Sequence, residues 1–262
     1  MLRKLGRVLG VVGVTSGIYV TLRTGLLLRA GKSPARAAAR VRWQGRVYRA
    51  WARMLLKVLG VRVTWEGPAP EPPFLLAANH LGYLDILVLG SRLPLTFVAK
   101  AEIANWPVIG HICQKAGTVF LERERKSDLP RALGVLEGAL SNGVGIAFFP
   151  EGTSSIGATV LPFRSPLLAL AARSGRPVWA ASLAYRTPPE ELPAHLAVCW
   201  WGDAPFLPHV KVLVGLAEIH ATVSIAPEPL AHEDRKQLAA ALRDAVVERF
   251  LPSAPDDVSS PP

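Results

Sequence analysis

The sequence predicts an α/β domain built on a mixed, largely parallel β-sheet that is flanked by helices. The first observation behind this prediction is an alternation of short apolar runs, which have the length of buried strands, with longer runs of helical period. The second is a proline-rich stretch at residues 67–73, which separates these elements from an N-terminal quarter of different composition. The third is composition: half of the 262 residues are hydrophobic and 19% are charged, which excludes general disorder.

Three regions follow from this division. We assign residues 1–62 to a basic, apolar helical region, residues 63–251 to the α/β domain, and residues 252–262, rich in Pro, Ser and Asp, to a disordered tail. The predicted strands are Phe74–Ala78, Thr96–Ala99, Thr118–Leu121, Gly145–Phe149, Val178–Leu183 and Glu218–Ile225. The predicted helices of the domain are Ile86–Ser91, Leu129–Ser141, Ser165–Arg173 and Glu233–Phe250.

The charge of the chain is distributed unevenly. The net charge is +10, yet no acidic residue precedes Glu66, and fourteen Lys and Arg residues lie before it. The remainder holds sixteen basic and twenty acidic residues, which gives it a net charge of −4. All of the excess positive charge therefore belongs to the N-terminal quarter, where it favours an anionic partner.

The first part of that quarter is an uncharged apolar run. Val8–Leu22 contains fifteen residues without a charge, and an extension through Arg23 to Leu28 gives twenty-one. A membrane-spanning helix needs about twenty residues, and an arginine near a helix end can reach the interface, so a span fits this length. A shallow or re-entrant insertion fits at least as well. A signal peptide would also begin this way, but no clear cleavage site follows.

The next segment, Ala35–Leu59, is amphipathic at the helical period. Five basic residues fall within an arc of about 80° when the segment is projected as a helix: Arg42, Arg46, Arg49, Arg53 and Lys57. The opposite side carries aromatic and aliphatic residues: Trp43, Val47, Tyr48, Trp51, Met54, Leu55 and Val58. This pattern is typical of a helix in a membrane interface, where each Lys or Arg near an anionic leaflet contributes about 1 kcal/mol.

Two other interpretations of this basic region compete with the membrane. Its apolar side can pack on the α/β domain and leave the arginines in solvent. Basic patches with aromatic residues also bind nucleic acid, but the adjacent uncharged run and the negative remainder argue against that partner. We therefore expect a helical membrane anchor that binds an anionic lipid surface, at the cytoplasmic face of the plasma membrane, and no nucleic-acid partner.

A candidate catalytic pair follows the first predicted strand. His80 lies directly after that strand, at the kind of position where α/β proteins carry their chemistry. Asp85 can meet it only if a turn separates the two and Asp85 lies near the start of the next helix. Such a pair suits a general base and the carboxylate that orients it, with backbone amides at the helix start as donors to an oxyanion. The alternative is a surface histidine and a helix-capping aspartate.

A second candidate element is the turn after the strongest predicted strand, at residues 149–155. Its glycine permits a close backbone approach and exposes amide donors, and Glu151 can hydrogen-bond a substrate hydroxyl. Three cations follow predicted strands or this turn and suit a phosphate-bearing substrate if they converge: Lys100, Arg123 and Arg164. The alternatives are a tight turn in which Glu151 pairs with an arginine, and cations that are merely solvated.

Four ordered blocks of the chain resemble the glycerolipid acyltransferase family, which includes the 1-acylglycerol-3-phosphate acyltransferases. Asn-His-x4-Asp stands at 79–85, Gly-x-x-Phe-x-x-Arg at 117–123, Phe-Pro-Glu-Gly-Thr at 149–153 and Arg-Pro-Val at 176–178. The resemblance implies His80 and Asp85 as catalytic residues. Together with the cations it gives the predicted substrate-binding residues: Asn79, Lys100, Gly117, Arg123, Glu151, Gly152, Thr153 and Arg164.

The resemblance also implies a reaction. Members of the family transfer an acyl group from acyl-CoA or acyl carrier protein to the free hydroxyl of 1-acylglycerol 3-phosphate, which yields phosphatidic acid for phospholipid biosynthesis. The expected partners are thus a lysolipid acceptor and an acyl thioester, with no cofactor. No Cys/His grouping indicates a metal, and no Walker A, G-x-G-x-x-G or G-x-S-x-G sequence occurs.

The chain departs from the phosphatidate-forming branch at two places. Ser165-Pro166 stands where that branch more often carries Lys-Gly, and the segment from Trp200 to His209 is more reminiscent of members that acylate lyso-ornithine lipid. An acyltransferase for lyso-ornithine lipid is therefore the alternative. A second alternative is a non-catalytic membrane-surface protein on the same scaffold, against which the intact His80, Asp85 and Glu151 argue.

Overall fold

The computed structural model describes residues 2–31, 33–106, 109–122 and 128–255. Its strands are β1 (Val61–Glu66), β2 (Leu75–Ala78), β3 (Leu95–Lys100), β4 (Val119–Leu121), β5 (Gly145–Phe148), β6 (Val178–Arg186) and β7 (Ile219–Ile225). Its helices are α1 (Leu2–Leu28), α2 (Pro34–Leu59), α3 (Leu84–Arg92), a 3-10 turn (Ala101–Asn105), α4 (Ile109–Ala116), α5 (Leu129–Ser141), α6 (Leu168–Ser174), α7 (Ala194–Ala197), α8 (Phe206–Leu213) and α9 (Arg235–Val247).

The described strands form one mixed sheet in the order β1-β7-β6-β2-β5-β3-β4. Every neighbouring pair is parallel except β6 and β7, which are antiparallel. The predicted mixed, largely parallel sheet is thus confirmed. Because β2, β3, β4 and β5 run in one direction, their carboxyl ends meet at one edge of the sheet, which is the edge that carries His80.

Helices cover both faces of the sheet, as the apolar strand sequences require. One core cluster joins the sheet to α2, α3 and the short helices α7 and α8, through residues such as Leu56, Leu84 and Leu213. The other joins the opposite face to α5, α6 and α9, through residues such as Leu136 and Leu242. The side chain of Asp234 begins α9 by accepting from two backbone amides of the first turn, at 2.7 and 2.9 Å.

Strand β1 is not among the strands predicted from the sequence. Its residues alternate between packed and exposed, with Val61 buried and Arg62, Thr64 and Glu66 exposed, because β1 lies at the edge of the sheet. An alternating edge strand lacks the continuous apolar run that identified the buried strands.

The N-terminal region is an antiparallel helical hairpin. Gly10 of α1 lies against Val58 of α2, and Gly25 lies against Trp43, so the two helices run in opposite directions along their length. The apolar side of α2 is buried in the core, through residues including Tyr48, Ala52, Leu55 and Leu59. The prediction that this side lies in a membrane is therefore wrong for its C-terminal half, where packing on the α/β domain gives the burial; the basic side remains mostly exposed.

Helix α1 carries the exposed apolar surface of the hairpin. It is 27 residues long and apolar enough, by length and composition alone, to cross a membrane, with a mean hydropathy of 1.5 over its best window and only 6% of that window buried. Its exposed apolar residues are Leu2, Leu5, Val8, Leu9, Val12, Val20, Leu27 and Leu28. An amphipathic helix or a signal sequence near the N-terminus has the same features. They therefore indicate an apolar contact surface, but they do not give the depth to which α1 enters a membrane.

The predicted disordered tail begins too early. Ser253 donates its amide to Gly157 O at 2.8 Å, its hydroxyl accepts from Tyr185 N at 2.9 Å, and Ala254 is buried. Composition alone suggested disorder here, whereas these backbone contacts hold the segment against β6 and the 149–157 turn. Residues 256–262 lie outside the described part of the chain.

Candidate active site

The structure brings His80 and Asp85 together. The ring nitrogen Nδ1 of His80 lies 2.7 Å from Asp85 Oδ2. The contact arises because β2 ends at Ala78, a turn follows, and Asp85 is the second residue of α3. A carboxylate in the first turn of a helix is also favoured by the helix dipole. Because the carboxylate engages Nδ1, the neutral ring holds its proton there and keeps the lone pair of Nε2 for a substrate proton.

The ring of His80 is held from a second side. The ring of Phe149 stacks on it, with centroids 4.1 Å apart and planes inclined by 12°. The His80 side chain remains 22% exposed, so a substrate can reach it, whereas Asp85 is fully buried. A buried orienting carboxylate beside a partly exposed imidazole is an arrangement that suits general-base catalysis.

The carboxylate of Asp85 is saturated with donors. Its Oδ2 accepts from the amides of Leu81 (2.7 Å) and Gly82 (3.1 Å) as well as from His80, and its Oδ1 accepts from the hydroxyl of Tyr185 at 2.6 Å. Donors to a carboxylate stabilise its charged form, which offsets the cost of its burial. The amides of Leu81 and Gly82, which stand at the helix start where oxyanion donors were expected, are therefore occupied by Asp85.

The side chain of Asn79 binds the backbone of a neighbouring strand. It is buried, its amide group donates to Leu183 O at 2.9 Å, and its carbonyl oxygen accepts from Leu183 N at 2.7 Å. Both ends of its side-chain amide thus bind the backbone of β6. These two bonds join the His80 turn to the neighbouring strand, and substrate binding by Asn79 stays a prediction.

Glu151 also serves the scaffold. Its Oε2 accepts from the amide of His80 and its Oε1 accepts from the amide of Leu161, each at 3.0 Å, and its side chain is buried. The backbone carbonyl of His80 in turn accepts from Ser155 N at 2.8 Å. The 149–155 turn therefore binds both the backbone amide and the backbone carbonyl of His80. Both oxygens of Glu151 thus hold backbone amides, and its bond to a substrate hydroxyl stays a prediction.

Burial gives Glu151 an unusual proton affinity. Desolvation, and to a smaller degree the charge of Asp85, raises the pKa of Glu151 to about 8, although the amides of His80 and Leu161 act in the opposite direction. A carboxyl whose pKa is raised by folding binds its proton more tightly in the folded state than in the unfolded state. Its contribution to stability is therefore fully present below the unfolded value of 4.5 and is lost as the pH rises towards about 8.

This shift predicts a pH-dependent difference between the wild type and Glu151→Gln. Glutamine resembles the protonated carboxyl and does not titrate, so the free energy of unfolding of the wild type should fall relative to the variant between pH 4.5 and pH 8. The expected fall is on the order of 4 kcal/mol, measured by urea unfolding across this range. The exposed Glu137→Gln on α5 is the matched control. A wild-type-minus-variant difference that is constant with pH would contradict the assignment.

Arg164 lies across the same turn. Gly152 has a φ of +78°, and a Cβ placed on it would lie 3.0 Å from Arg164 Nε, so glycine permits the arginine to cross here. The backbone amide of Arg164 donates to Pro150 O at 2.7 Å. Arg164 and Thr153 are exposed beside this turn, which keeps both as candidates for substrate contact.

The remaining predicted residues lie farther away. Lys100 is exposed at the carboxyl end of β3, on the His80 edge, but β5 separates β3 from β2, so about 10 Å separates the two strands. Gly117 precedes β4 and accepts from Thr96 Oγ1 at the start of β3. It therefore lies at the amino-end edge of the sheet, opposite the edge that carries His80, and its role in substrate binding stays a prediction. Arg123 lies outside the described residues.

An aromatic cluster that was not among the predicted site residues lies beside the His80 turn. Tyr83, Trp106, Trp200 and Phe206 contact one another with ring centroids 5.2 to 6.1 Å apart. The amide of Trp200 donates to Leu81 O at 2.8 Å, which places this cluster directly over the turn. The unusual Trp-Trp-Gly-Asp sequence was the signal that could have located it.

His209 completes this cluster from α8. Its Nδ1 lies 2.9 Å from Tyr83 Oη, and its Nε2 lies 3.1 Å from Cys199 O. The carbonyl can only accept, so Nε2 carries the proton and Nδ1 accepts from the tyrosine. Burial lowers the pKa of His209, which favours this neutral form. The residue fastens α8 to the start of α3. In the described part of the chain, no group of three or more His, Cys, Asp or Glu is placed to hold a metal.

Known proteins share both the sequence and the fold. The model of the family described as Acyltransferase matches residues 60–184. The chain is 36% identical to the lyso-ornithine lipid O-acyltransferase of Rhodobacter capsulatus (74% of this chain, 72% of that protein) and 32% identical to the one of Pseudomonas aeruginosa (94% and 92%). It is 38% identical to the 1-acyl-sn-glycerol-3-phosphate acyltransferase of Neisseria meningitidis over 51% of this chain and 53% of that protein.

A solved structure has the same fold. The crystal structure of the 1-acyl-sn-glycerophosphate acyltransferase PlsC from Thermotoga maritima superposes with a TM-score of 0.63, with 20% sequence identity, over 95% of this chain and 96% of that chain. The family model covers the part of the chain that includes His80, Asp85 and Glu151, and the Pseudomonas relative spans nearly the whole chain. The chain belongs to the acyltransferase family.

Proposed function

We propose that this protein is a membrane-associated O-acyltransferase that moves an acyl group from an acyl thioester to the free hydroxyl of a lysolipid. The observation that carries the proposal is the 2.7 Å contact between His80 Nδ1 and the fully buried Asp85, with the ring partly exposed. Acyl-CoA and acyl carrier protein are the proposed donors. The residues of the site supply the acid–base chemistry, and the proposal needs no cofactor.

The reaction proceeds by direct attack. Nε2 of His80 takes the proton of the acceptor hydroxyl while the hydroxyl oxygen attacks the thioester carbonyl carbon. The imidazolium that forms is stabilised by the charge of Asp85. When the tetrahedral adduct collapses, the carbon–sulfur bond breaks and the imidazolium returns its proton to the thiolate. An ester and a free thiol result, and no covalent acyl-enzyme is required.

The first acceptor we propose is 1-acylglycerol 3-phosphate, with phosphatidic acid as the product. The exposed guanidinium of Arg164 beside Gly152 supports an anionic headgroup at this turn, since arginine binds phosphate in bidentate fashion. The location of Lys100 at the same sheet edge adds a second cation.

Lyso-ornithine lipid is the second candidate acceptor. The relatives from Rhodobacter and Pseudomonas that align with more than two thirds of the chain carry that name, whereas the Neisseria relative aligns with about half of it. The Trp200 segment, which the family model does not cover, packs directly on the His80 turn. We propose that this segment contacts the headgroup of the acceptor.

A thiol-release assay with both acceptors tests the proposal. The purified protein is supplied with palmitoyl-CoA and either lysophosphatidate or lyso-ornithine lipid, and the lipid product is identified by mass spectrometry. We expect acceptor-dependent thiol release with at least one of the two. Release without any acylated lipid, or no release with either acceptor from a folded protein, would overturn the proposal.

We further propose that α1 inserts shallowly into the membrane and does not span it. Arg3 and Arg7 bind the carbonyls of Gly215 and Ala217 at 2.7 and 2.8 Å, and Val14 still packs on the core. The part of α1 beyond Val14 is about 21 Å long at 1.5 Å per residue, which is shorter than the roughly 30 Å of a hydrocarbon core.

The triple variant Val20→Glu, Leu27→Glu and Leu28→Glu tests this insertion. These side chains are 62%, 68% and 76% exposed, so the changes should spare the fold. In the wild type these side chains should be buried in the lipid. Without that burial, the variant should partition onto anionic vesicles at least about tenfold more weakly in a sedimentation assay. The matched control changes three exposed apolar residues elsewhere to Glu, namely Val135, Val247 and Leu251. Equal binding by both triple variants would contradict the placement.

A further inference from the structure

The hydroxyl of Tyr185 makes a contact in the core that the reaction scheme above does not use. Tyr185 lies near the end of β6 and is fully buried, as is Asp85. Its Oη donates to Asp85 Oδ1 at 2.6 Å. Both side chains reach each other from different elements, since one belongs to a strand and the other to the first turn of α3. A hydroxyl donor to a fully buried carboxylate is among the stronger hydrogen bonds in proteins.

The two oxygens of Asp85 have different partners. Oδ2 accepts from His80 Nδ1 and from the amides of Leu81 and Gly82. Among the residues that the structure describes, Tyr185 is the sole donor to Oδ1. Without that hydroxyl, one oxygen of a buried carboxylate would have no donor, which costs free energy and permits the carboxylate to rotate. Rotation would move Oδ2 relative to the His80 ring.

The phenol group is suited to be a permanent donor. Burial, and after it the charge of Asp85, raises the pKa of Tyr185 well above its ordinary value, so the hydroxyl keeps its proton at every physiological pH. The strand that carries it is fixed to the same turn: Asn79 holds Leu183, two residues before Tyr185, by both amide atoms. The amide of Tyr185 itself donates to Ser253 Oγ at 2.9 Å. The backbone that carries the hydroxyl is therefore held at two places, Leu183 and Tyr185.

We propose that Tyr185 is a positioning residue for acyl transfer, the third member of a hydrogen-bonded chain that runs from His80 through Asp85 to Tyr185. It holds Asp85 so that Oδ2 faces the His80 ring, and it takes up part of the negative charge of the carboxylate. Tyr185 does not touch the substrate. The inference rests on the proposed role of His80 as general base.

Tyr185→Phe is the test, because it removes only the hydroxyl. Looser placement of the base should lower kcat about tenfold and leave KM for both substrates within about twofold. With less of its charge shared, the carboxylate should stabilise the imidazolium more strongly, so the acidic limb of the pH–rate profile should move to higher pH by about half a unit to one unit.

Tyr48→Phe is the matched control. Tyr48 is also a buried tyrosine, and its hydroxyl donates to the carbonyl of Ile86 in α3 at 3.0 Å, but it does not contact Asp85. Its loss should leave the position of the acidic limb unchanged. An unshifted profile with wild-type kcat in a folded Tyr185→Phe protein would overturn the proposal. An equal loss of kcat in both variants without a shift in either profile would also overturn it.

A second readout does not depend on acyl transfer. Diethylpyrocarbonate modifies the neutral imidazole, and peptide mass spectrometry reports the rate at His80 alone. The pH at which this rate is half-maximal should be higher in Tyr185→Phe than in the wild type and in Tyr48→Phe, by about half a unit to one unit. If no lysolipid is acylated but this shift appears, the proposed function fails, whereas the effect of Tyr185 on the His80 ring through Asp85 stands. If lysolipid is acylated but neither shift appears, the positioning role fails.

Discussion

Replacing His80 with alanine is expected to reduce kcat for acyl transfer by about 10²- to 10⁴-fold, the range that general-base assistance usually contributes. The imidazole is the group in the described site that has both an orienting carboxylate, 2.7 Å from Nδ1, and partial access to solvent. Its removal leaves the acceptor hydroxyl without a base of suitable strength at neutral pH. Initial rates of thiol release at saturating acceptor measure the effect.

The fold should survive this change. The backbone amide and carbonyl of His80 bind Glu151 and Ser155, and alanine keeps both groups. Vesicle binding and the near-ultraviolet circular dichroism of the variant should therefore match the wild type. His220→Ala, which removes an exposed histidine paired with Glu218 on β7, is the control and should retain full activity. A folded His80→Ala protein with wild-type turnover would show that another group is the base.

The strands of this fold could be predicted from sequence because most of them are buried on both faces. β5 and the start of β6 appear as continuous apolar runs. The predicted limits of β5 fall within one residue of those in the structure and the predicted start of β6 is correct, but β6 continues three residues beyond the predicted end, to Arg186. The edge strand β1 lacked that signal. For α2, the amphipathic pattern correctly indicated a helix but could not say whether its apolar side meets lipid or protein, because both surroundings are apolar.

The location of the site could be predicted from the sequence, but the hydrogen-bond partners of its residues could not. His80 and Asp85 were identified correctly as neighbours, because the motif spacing and the strand end place them together. The motif shows residue types and not their partners, so Asn79 and Glu151 were predicted to bind substrate although their polar atoms hold the backbone. Tyr185 gave no signal, since a tyrosine in an apolar strand has the pattern of an ordinary core residue.

Asp85→Asn is expected to lower kcat by about 10³-fold or more, by analogy with the loss seen when the orienting carboxylate of a catalytic triad is replaced by its amide. The change keeps the size of the side chain but removes the charge that stabilises the imidazolium. The new side-chain amide nitrogen is itself a donor, and it would face other donors at either position: the two backbone amides at Oδ2 or the hydroxyl at Oδ1. The kcat from thiol release is the measurement, and Asp244→Asn on the exposed side of α9 is the matched control.

The same variant separates orientation from simple packing when it is combined with Tyr185→Phe. If the hydroxyl of Tyr185 acts through the charge of Asp85, its removal should cost about tenfold in the wild type and close to nothing in the Asp85→Asn background, where no carboxylate remains to be held. If the hydroxyl merely fills space, the two losses should multiply. A double-mutant cycle on kcat distinguishes these outcomes. Multiplicative losses would mean that the 2.6 Å contact between Tyr185 Oη and Asp85 Oδ1 has no part in positioning His80.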